Sequence, residues 1–259
     1  MDDNKQNYEQ KTGNIYGKLF NDYDKKLFED SVELFEKRQK KWGVDLNWFK
    51  GKVCLDAGCG GGRFLVAISS LGVKEIVGID ISKQAVEVSN HRLKDRGVLN
   101  ARAIEASVFS IPFGDNHFDY VISSGVIHYT HDPHKAFIEL ARVLKPGGKI
   151  FLSIYGKGGL KWLTNDIFRY SICKIIPFKT MDLIFKFLGV PANKRYNLFG
   201  NLYAKYTKRF SESEVRQWFK DAGFENFRRV KFERYDYEKP LSRIIHGEGW
   251  MQIMADKKY

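Results

Sequence analysis

The chain is poor in cysteine, with three among 259 residues. Cys54, Cys59 and Cys173 have neither metal-ligand spacing nor the even count of a disulfide framework, which favours a reducing compartment over a secreted, stapled domain. No metal site is expected. Long apolar runs are missing too. Lys174, Lys179 and Lys186 interrupt the best candidates, so no segment reads as a membrane span. Met1 to Lys18 is polar and mixed in charge, unlike a secretory signal. There is no internal repeat and no low-complexity stretch. These absences lead to the expectation of a cytoplasmic globular chain, long enough for one large domain or a domain with an inserted cap.

Acid is also scarce relative to base. The 43 lysines and arginines outnumber 31 acids, for a net charge of +12. A basic surface can serve nucleic acid, anionic lipid or an acidic substrate. The lysines look scattered, so an ordinary solvated surface stands evenly beside a binding role for them. Denser pieces are Lys37-Arg38-Gln39-Lys40-Lys41 and Lys205-Tyr206-Thr207-Lys208-Arg209. The first falls on an expected amphipathic helix from Asp24 to Trp42. Phe28, Val32, Phe35 and Trp42 form its apolar stripe, so the basic residues read as its wet face.

What the chain does have is alternation. Before the first expected helix the segment is polar, with Tyr16 and Phe20 as anchors. The pattern then predicts strands at 52–56, 75–80, 101–106, 117–124 and 149–155, with helices between them. Ser82 is placed to cap one helix, and Asp132-Pro133 gives another a cap followed by proline at its first position. Pro146-Gly147-Gly148 is expected to end that helix. Strands and helices alternating at these lengths imply a parallel sheet with right-handed crossovers. From Gly156 to about Arg209 the rhythm changes to helical pieces rich in lysine and aromatics, broken at Pro177 and at Gly189-Val190-Pro191. Ser211-Glu212-Ser213-Glu214 then reads as a capping box opening a helix that Gly223 ends. Residues 226–234 and 250–255 would be the last two strands.

The most informative stretch is Val53-Cys54-Leu55-Asp56-Ala57-Gly58-Cys59-Gly60-Gly61-Gly62-Arg63-Phe64, followed by Ile76-Val77-Gly78-Ile79-Asp80. A strand, a glycine turn, a helix and a second strand ending in an acid grip a nucleoside cofactor in an α/β sheet. Dinucleotide sites space their glycines G-x-G-x-x-G and aim backbone N–H groups at a pyrophosphate. Here the spacing is Gly58-x-Gly60-x-Gly62, and Asp56 would repel phosphate. A cation without phosphate removes that conflict, and S-adenosylmethionine (SAM), with its sulfonium and α-ammonium groups, fits. Asp80 is placed to accept hydrogen bonds from both ribose hydroxyls.

At these residues the sequence resembles the class I SAM-dependent methyltransferases, whose first motif is an acid followed by x-Gly-x-Gly-x-Gly. The resemblance continues in order through Ile111-Pro112-Phe113-Gly114-Asp115-Asn116-His117-Phe118-Asp119-Tyr120 and Arg142-Val143-Leu144-Lys145-Pro146-Gly147-Gly148-Lys149-Ile150, covering roughly residues 50 to 155. It implies a Rossmann-like, seven-stranded, mostly parallel sheet with helices on both faces, an antiparallel last strand and a helical lid inserted after strand five. The expected division is an N-terminal helical segment (1–44), the SAM-binding core (45–155), the lid (156–209) and the C-terminal part of the core (210–259). In the lid, Trp162, Phe168, Phe178, Phe187 and Tyr203 suggest a greasy cap, much of which would be its own core.

The resemblance also assigns site residues. Asp56, Gly58, Cys59 and Gly60 would hold the methionine end, Asp80 and Ile81 the ribose, and Ser107 with Val108 the adenine, with Ser124 under the methionine. Ser107 departs from the family, which usually has an acid there. Methyl transfer needs a base only if the acceptor must lose a proton. His128 and Tyr129 are the candidates, against a plain loop histidine. Tyr155 is a candidate pocket wall, while Arg243 and His246, on a long linker, could bind the acceptor or merely cover the sheet edge. The expected activity is methylation of a small or medium organic acceptor, with O- favoured over N- or C-methylation. A lipid or quinone methyltransferase in peripheral contact with a membrane is the main alternative. RNA methylation is disfavoured because Ser123-Ser124-Gly125-Val126 stands where an Asn/Asp-Pro-Pro-aromatic motif would be. A non-catalytic subunit is disfavoured by the intact Asp56 and Asp80. Acceptor and oligomeric state are not legible.

Overall fold

The computed structural model describes residues 25–204, 206–230 and 239–259, together with Gln10 and Gly13. The anchors Tyr16 and Phe20, the helix start at Asp24, and the end expected for the sixth strand, 231–234, lie outside the described residues.

Seven strands form one sheet: β1 (Val53–Ala57), β2 (Glu75–Asp80), β3 (Ala101–Glu105), β4 (Phe118–Ser124), β5 (Leu144–Tyr155), β6 (Phe224–Arg229) and β7 (Trp250–Lys257). Their spatial order is β3-β2-β1-β4-β5-β7-β6. The first five pair in parallel, while β7 is antiparallel to both β5 and β6. β6 therefore keeps the direction of β5, and β7 alone is reversed.

Parallel strands need both faces covered, so their residues read as near-continuous apolar runs. Cys54, Leu55 and Ala57 of β1 are all fully buried. Leu55, opposite Val77 and Val121 in register, faces a core with Val121, Phe137, Leu140, Val215 and Phe219. Val121 belongs to β4, and the other four come from helices α4 (Pro133–Val143) and α9 (Glu212–Asp221). On the other face Ile76, Ile122 and Phe151 pack with Phe35, Leu65 and Ile68 of helices α1 (Lys25–Lys41) and α2 (Arg63–Ser69). Each such side chain contributes about 1.5–3 kcal/mol of burial.

Caps set the helix starts. Ser82 Oγ accepts from the Ala85 N–H at 3.3 Å to open α3 (Lys83–Asp95), and Asp132 accepts from Lys135 at 3.0 Å to open α4. Ser211 and Glu214 close a reciprocal capping box on α9. β5 begins at Leu144, five residues before its expected start. Lys145 precedes Pro146, whose ring disfavours helical backbone at that position, so the chain turns extended at Leu144 (φ −82°, ψ 132°) and pairs at once with Phe118.

Between β5 and α9 lie α5 (Leu160–Tyr170), α6 (Ile172–Ile175), α7 (Phe178–Phe187) and α8 (Ala192–Tyr203); α10 (Pro240–His246) precedes β7. α5 packs against α8 and α10, and α7 against α8. Phe178, Phe185 and Tyr203 pack edge-to-face around Phe199, with ring centres 5.4–5.9 Å apart. No described helix is long and apolar enough to cross a membrane.

Candidate active site

The turn after β1 depends on glycine. Gly58, Gly60 and Gly62 have φ of 92°, 53° and 80°, in the left-handed region. A Cβ on Gly58 would sit 2.2 Å from Val126 Cγ2. The Gly58 and Cys59 N–H groups donate to the Ile79 carbonyl at 2.8 and 2.9 Å, fastening the turn to β2. Asp80, at the tip of β2, accepts from Gly60 N–H through one oxygen and from Ser82 N–H through the other, both at 2.9 Å. Burial raises its pKa, and these bonds oppose the rise. Each oxygen keeps a further lone pair for a hydroxyl. From α3, Ser89 Oγ donates to the Gly60 carbonyl at 2.7 Å and Arg92 to the Gly61 carbonyl at 2.8 Å. Gln10 Nε2 donates to the Ile81 carbonyl at 2.8 Å.

Asp56 is buried beside this turn, and neither carboxylate oxygen has a hydrogen-bond partner among the described residues. Burial pushes its pKa to about 8; Arg63 opposes the rise and Asp80 adds to it. Stranding such a group is costly unless something pairs with it. A cationic donor fits the position and an anion does not. The residues present therefore suit the ammonium and sulfonium of SAM.

Past β4 and beside β5 lies a cavity of about 200 Å³, lined by Phe35, Trp42, Phe64, Phe151 and Trp250, with Ser124, Gln39 and Gln252 among its polar residues. The Oε1 atoms of Gln39 and Gln252 are buried and unpartnered among the described residues. Gln39 is 1% exposed although it lies inside the basic piece expected to be α1's wet face. The signal was in the spacing: Phe28, Val32, Phe35 and Trp42 continue through position 39 at helical steps. No motif marked Gln252, which is legible only once β7 is laid against β5 opposite Ser153. Trp250 Nε1 donates to Ser153 Oγ.

His128 and Tyr129 fall in a 3₁₀ turn, Ile127–Tyr129, and meet Tyr155 at the end of β5. The His128 ring centre is 4.0 Å from Tyr155 and 4.3 Å from Tyr129. The two tyrosine hydroxyls share a 2.8 Å hydrogen bond. Burial pushes Tyr155 up to about 12, opposed by Tyr129, Asn201 and Arg209. His128 is fully buried, with both ring nitrogens unpartnered among the described residues, and burial lowers its pKa to about 3. It is thus neutral at pH 7 and resists taking a proton. Trp162 of α5 stands 4.8 Å from the Tyr155 ring, under the Arg209 guanidinium at 4.2 Å, and Asp166 holds that arginine with two contacts of 2.6 and 2.8 Å.

The other expected residues are placed as follows. Ser107 and Val108 are half-buried in the loop after β3, and Ser107 Oγ accepts from Phe109 N–H at 3.2 Å. Ser124 ends β4 opposite Ser153. Arg243 is exposed on α10 and pairs with Glu248 at 3.5 Å, while His246 is half-buried with its pKa lowered by burial and Lys161.

A methyltransferase-domain family model matches residues 55–152. A demethylmenaquinone methyltransferase from Geobacillus sp. (strain WCH70) is 29% identical over 236 residues, 85% of this chain and 90% of that protein. Two solved structures share the fold. A SAM-dependent methyltransferase from Methanosarcina mazei has a TM-score of 0.55 at 21% identity, covering 81% of this chain and 93% of that one. Another from Aquifex aeolicus has a TM-score of 0.52 at 20% identity, covering 85% and 88%.

Proposed function

Since the chain is a class I SAM-dependent methyltransferase, we propose that its small-molecule acceptor is a hydroxylated aromatic ring of the quinol type. The observation that carries this is the cavity beyond Ser124, where aromatic walls surround two buried amide oxygens, those of Gln39 and Gln252. A ring bearing hydroxyl groups stacks among Phe35, Trp42, Phe64 and Phe151, beside the polar side chains of Gln39 and Gln252 that line the same cavity. The similarity to proteins named demethylmenaquinone methyltransferases supports the same class of acceptor.

When bound, the donor supplies a methyl group on a sulfonium, which leaves as a neutral thioether without acid assistance. The chain's work is to hold two partners in line, and positioning of this kind can supply most of the rate. Asp56 with Gly58, Cys59 and Gly60 holds the cationic methionine end. Asp80 and Ile81 would hold the ribose, Ser107 and Val108 the adenine, and Ser124 would contact the methionine. Tyr155, backed by Trp162 and Trp250, walls the acceptor side. The helices from 160 to 203 act as the lid that keeps water from the reacting atoms.

The acceptor loses one proton whether its oxygen or a ring carbon takes the methyl. The preference for oxygen leaned on His128 as a base, and a pKa near 3 removes much of that support. The hydrogen-bonded Tyr129–Tyr155 pair is the better route for the proton, because hydroxyls both accept and donate. Arg243, its charge engaged by Glu248, is left out of the pocket, and His246 with it.

Incubation with methyl-labelled SAM and a panel of hydroquinones, catechols, carboxylic acids and amines tests the reading. Label on a hydroquinone is expected, and the product's NMR spectrum assigns carbon or oxygen. Label appearing only on amines or carboxylates would refute it.

A further inference from the structure

The positive charge of this chain is concentrated. Residues 156–209 hold eleven lysines and arginines against Asp166 and Asp182, a net +9 of the chain's +12. The same segment leaves apolar side chains in water. On α5, Leu163 and Ile167 stand four residues apart and are exposed, Leu163 at 58%. On α7, Leu183 and Phe187 repeat that spacing, and Phe187 is 90% exposed. On α10, which packs against α5, Leu241 and Ile244 add a third exposed pair. Spacings of three and four residues make each pair a stripe along one helix face. The exposed Lys161, Lys174, Lys179 and Lys186 are interleaved with these stripes.

We propose that these helices form a docking face for an anionic lipid bilayer. Short amphipathic helices with aliphatic stripes and lysines beside them lie in the bilayer interface, where the stripe enters the acyl boundary and lysines reach back to headgroups. Charge decides among the occupants. A second copy would bring +9 against +9. Nucleic acid would satisfy the lysines but offers leucine and isoleucine nothing to bury against. An anionic membrane takes both components at once.

The face also has a place in the reaction. Trp162, one residue before the exposed Leu163, is buried against Tyr155, so α5 has the membrane side on one face and the acceptor wall on the other. An apolar quinol dissolved in the bilayer would then enter beside α5, toward Trp250, which packs on Tyr155 and lines the cavity. This last step rests on the acceptor reading above; the docking itself does not.

The test is co-sedimentation of the full chain with vesicles of phosphatidylcholine alone or mixed with phosphatidylglycerol. Binding to the mixed vesicles is expected, falling by about tenfold or more without phosphatidylglycerol. A Leu163→Asp/Phe187→Asp variant should lose most of the binding, as should Lys174→Glu/Lys179→Glu, while SAM affinity by calorimetry and methylation of a short-chain, water-soluble hydroquinone stay at wild-type levels. Absence of binding to anionic vesicles would overturn the proposal, as would variants that bind like wild type. An oligomer in lipid-free buffer that Leu163→Asp/Phe187→Asp dissociates would overturn it in favour of a second copy. Loss of docking with methylation of the soluble hydroquinone intact separates this proposal from the acceptor reading. Docking without such methylation sinks only the latter.

Discussion

Asp56 makes cofactor binding depend on pH in a direction that the structure determines. Without ligand its carboxyl has a pKa of about 8, because burial penalises the charge. Beside the cationic methionine end it is ionised. Binding therefore expels a proton below pH 8, and the observed affinity falls as pH falls. With the carboxylate charged throughout the complex, linkage gives a release of about 0.9 proton at pH 7. By the same relation, affinity drops about 50-fold from pH 8 to pH 6. Calorimetry in buffers of different ionisation enthalpy reads the proton count directly, and repeating it across pH reads the slope. Asp56→Asn cannot titrate, so it should bind about tenfold or more weakly at pH 8 and show no such slope. A wild-type affinity flat between pH 6 and 8, or a slope retained in Asp56→Asn, would refute the reasoning.

The same group affects stability without ligand. Its folded pKa lies above the unfolded value of about 3.9, so stability is full below that value and falls by about 1.4 kcal/mol per unit as pH rises toward 8. Denaturant melts of Asp56→Asn should lose that slope. Gly58→Ala should destabilise by about 1–3 kcal/mol, since alanine must adopt φ 92° and meet Val126; adding Val126→Ala should recover part of it, measured by the same melts. His128 titrates the other way. Its folded pKa of about 3 lies below the unfolded value of about 6.5, so stability is full above pH 6.5 and declines as pH falls toward 3. The kcat profile should accordingly lack an ionisation near 6.5. A step there that His128→Asn abolishes would restore the histidine as base.

The parts of this protein that repeat a physical rule were readable in advance. Asp56 beside the glycine turn announced a cation, and the structure leaves that carboxylate buried with no hydrogen-bond partner among the described residues. Caps at Ser82, Asp132 and Ser211 marked helix starts because each supplies an oxygen to an N–H that has no other partner. Gln39 was misread because a residue between two basic ones looks wet, although helical spacing put it on the buried stripe. Gln252 was invisible because its place depends on β7 inserting between β5 and β6, a long-range pairing with no local mark. The burial that drives His128 to neutrality likewise includes packing against Tyr155, which is distant in the chain. The concentration of charge in 156–209 was open to counting throughout, but its meaning depends on which faces of α5, α7 and α10 are exposed.

The central claim is that the turn from Asp56 to Gly62 and the acid at Asp80 divide a sulfonium nucleoside between them. A crystal structure with S-adenosylhomocysteine, which keeps the ammonium and ribose of the donor, tests it most directly. The account predicts the ammonium beside the Asp56 turn, both ribose hydroxyls on Asp80, and the sulfur facing the cavity of Gln39 and Gln252. A ligand whose ribose lies away from Asp80, or whose carboxylate rather than ammonium lies against Asp56, would contradict it.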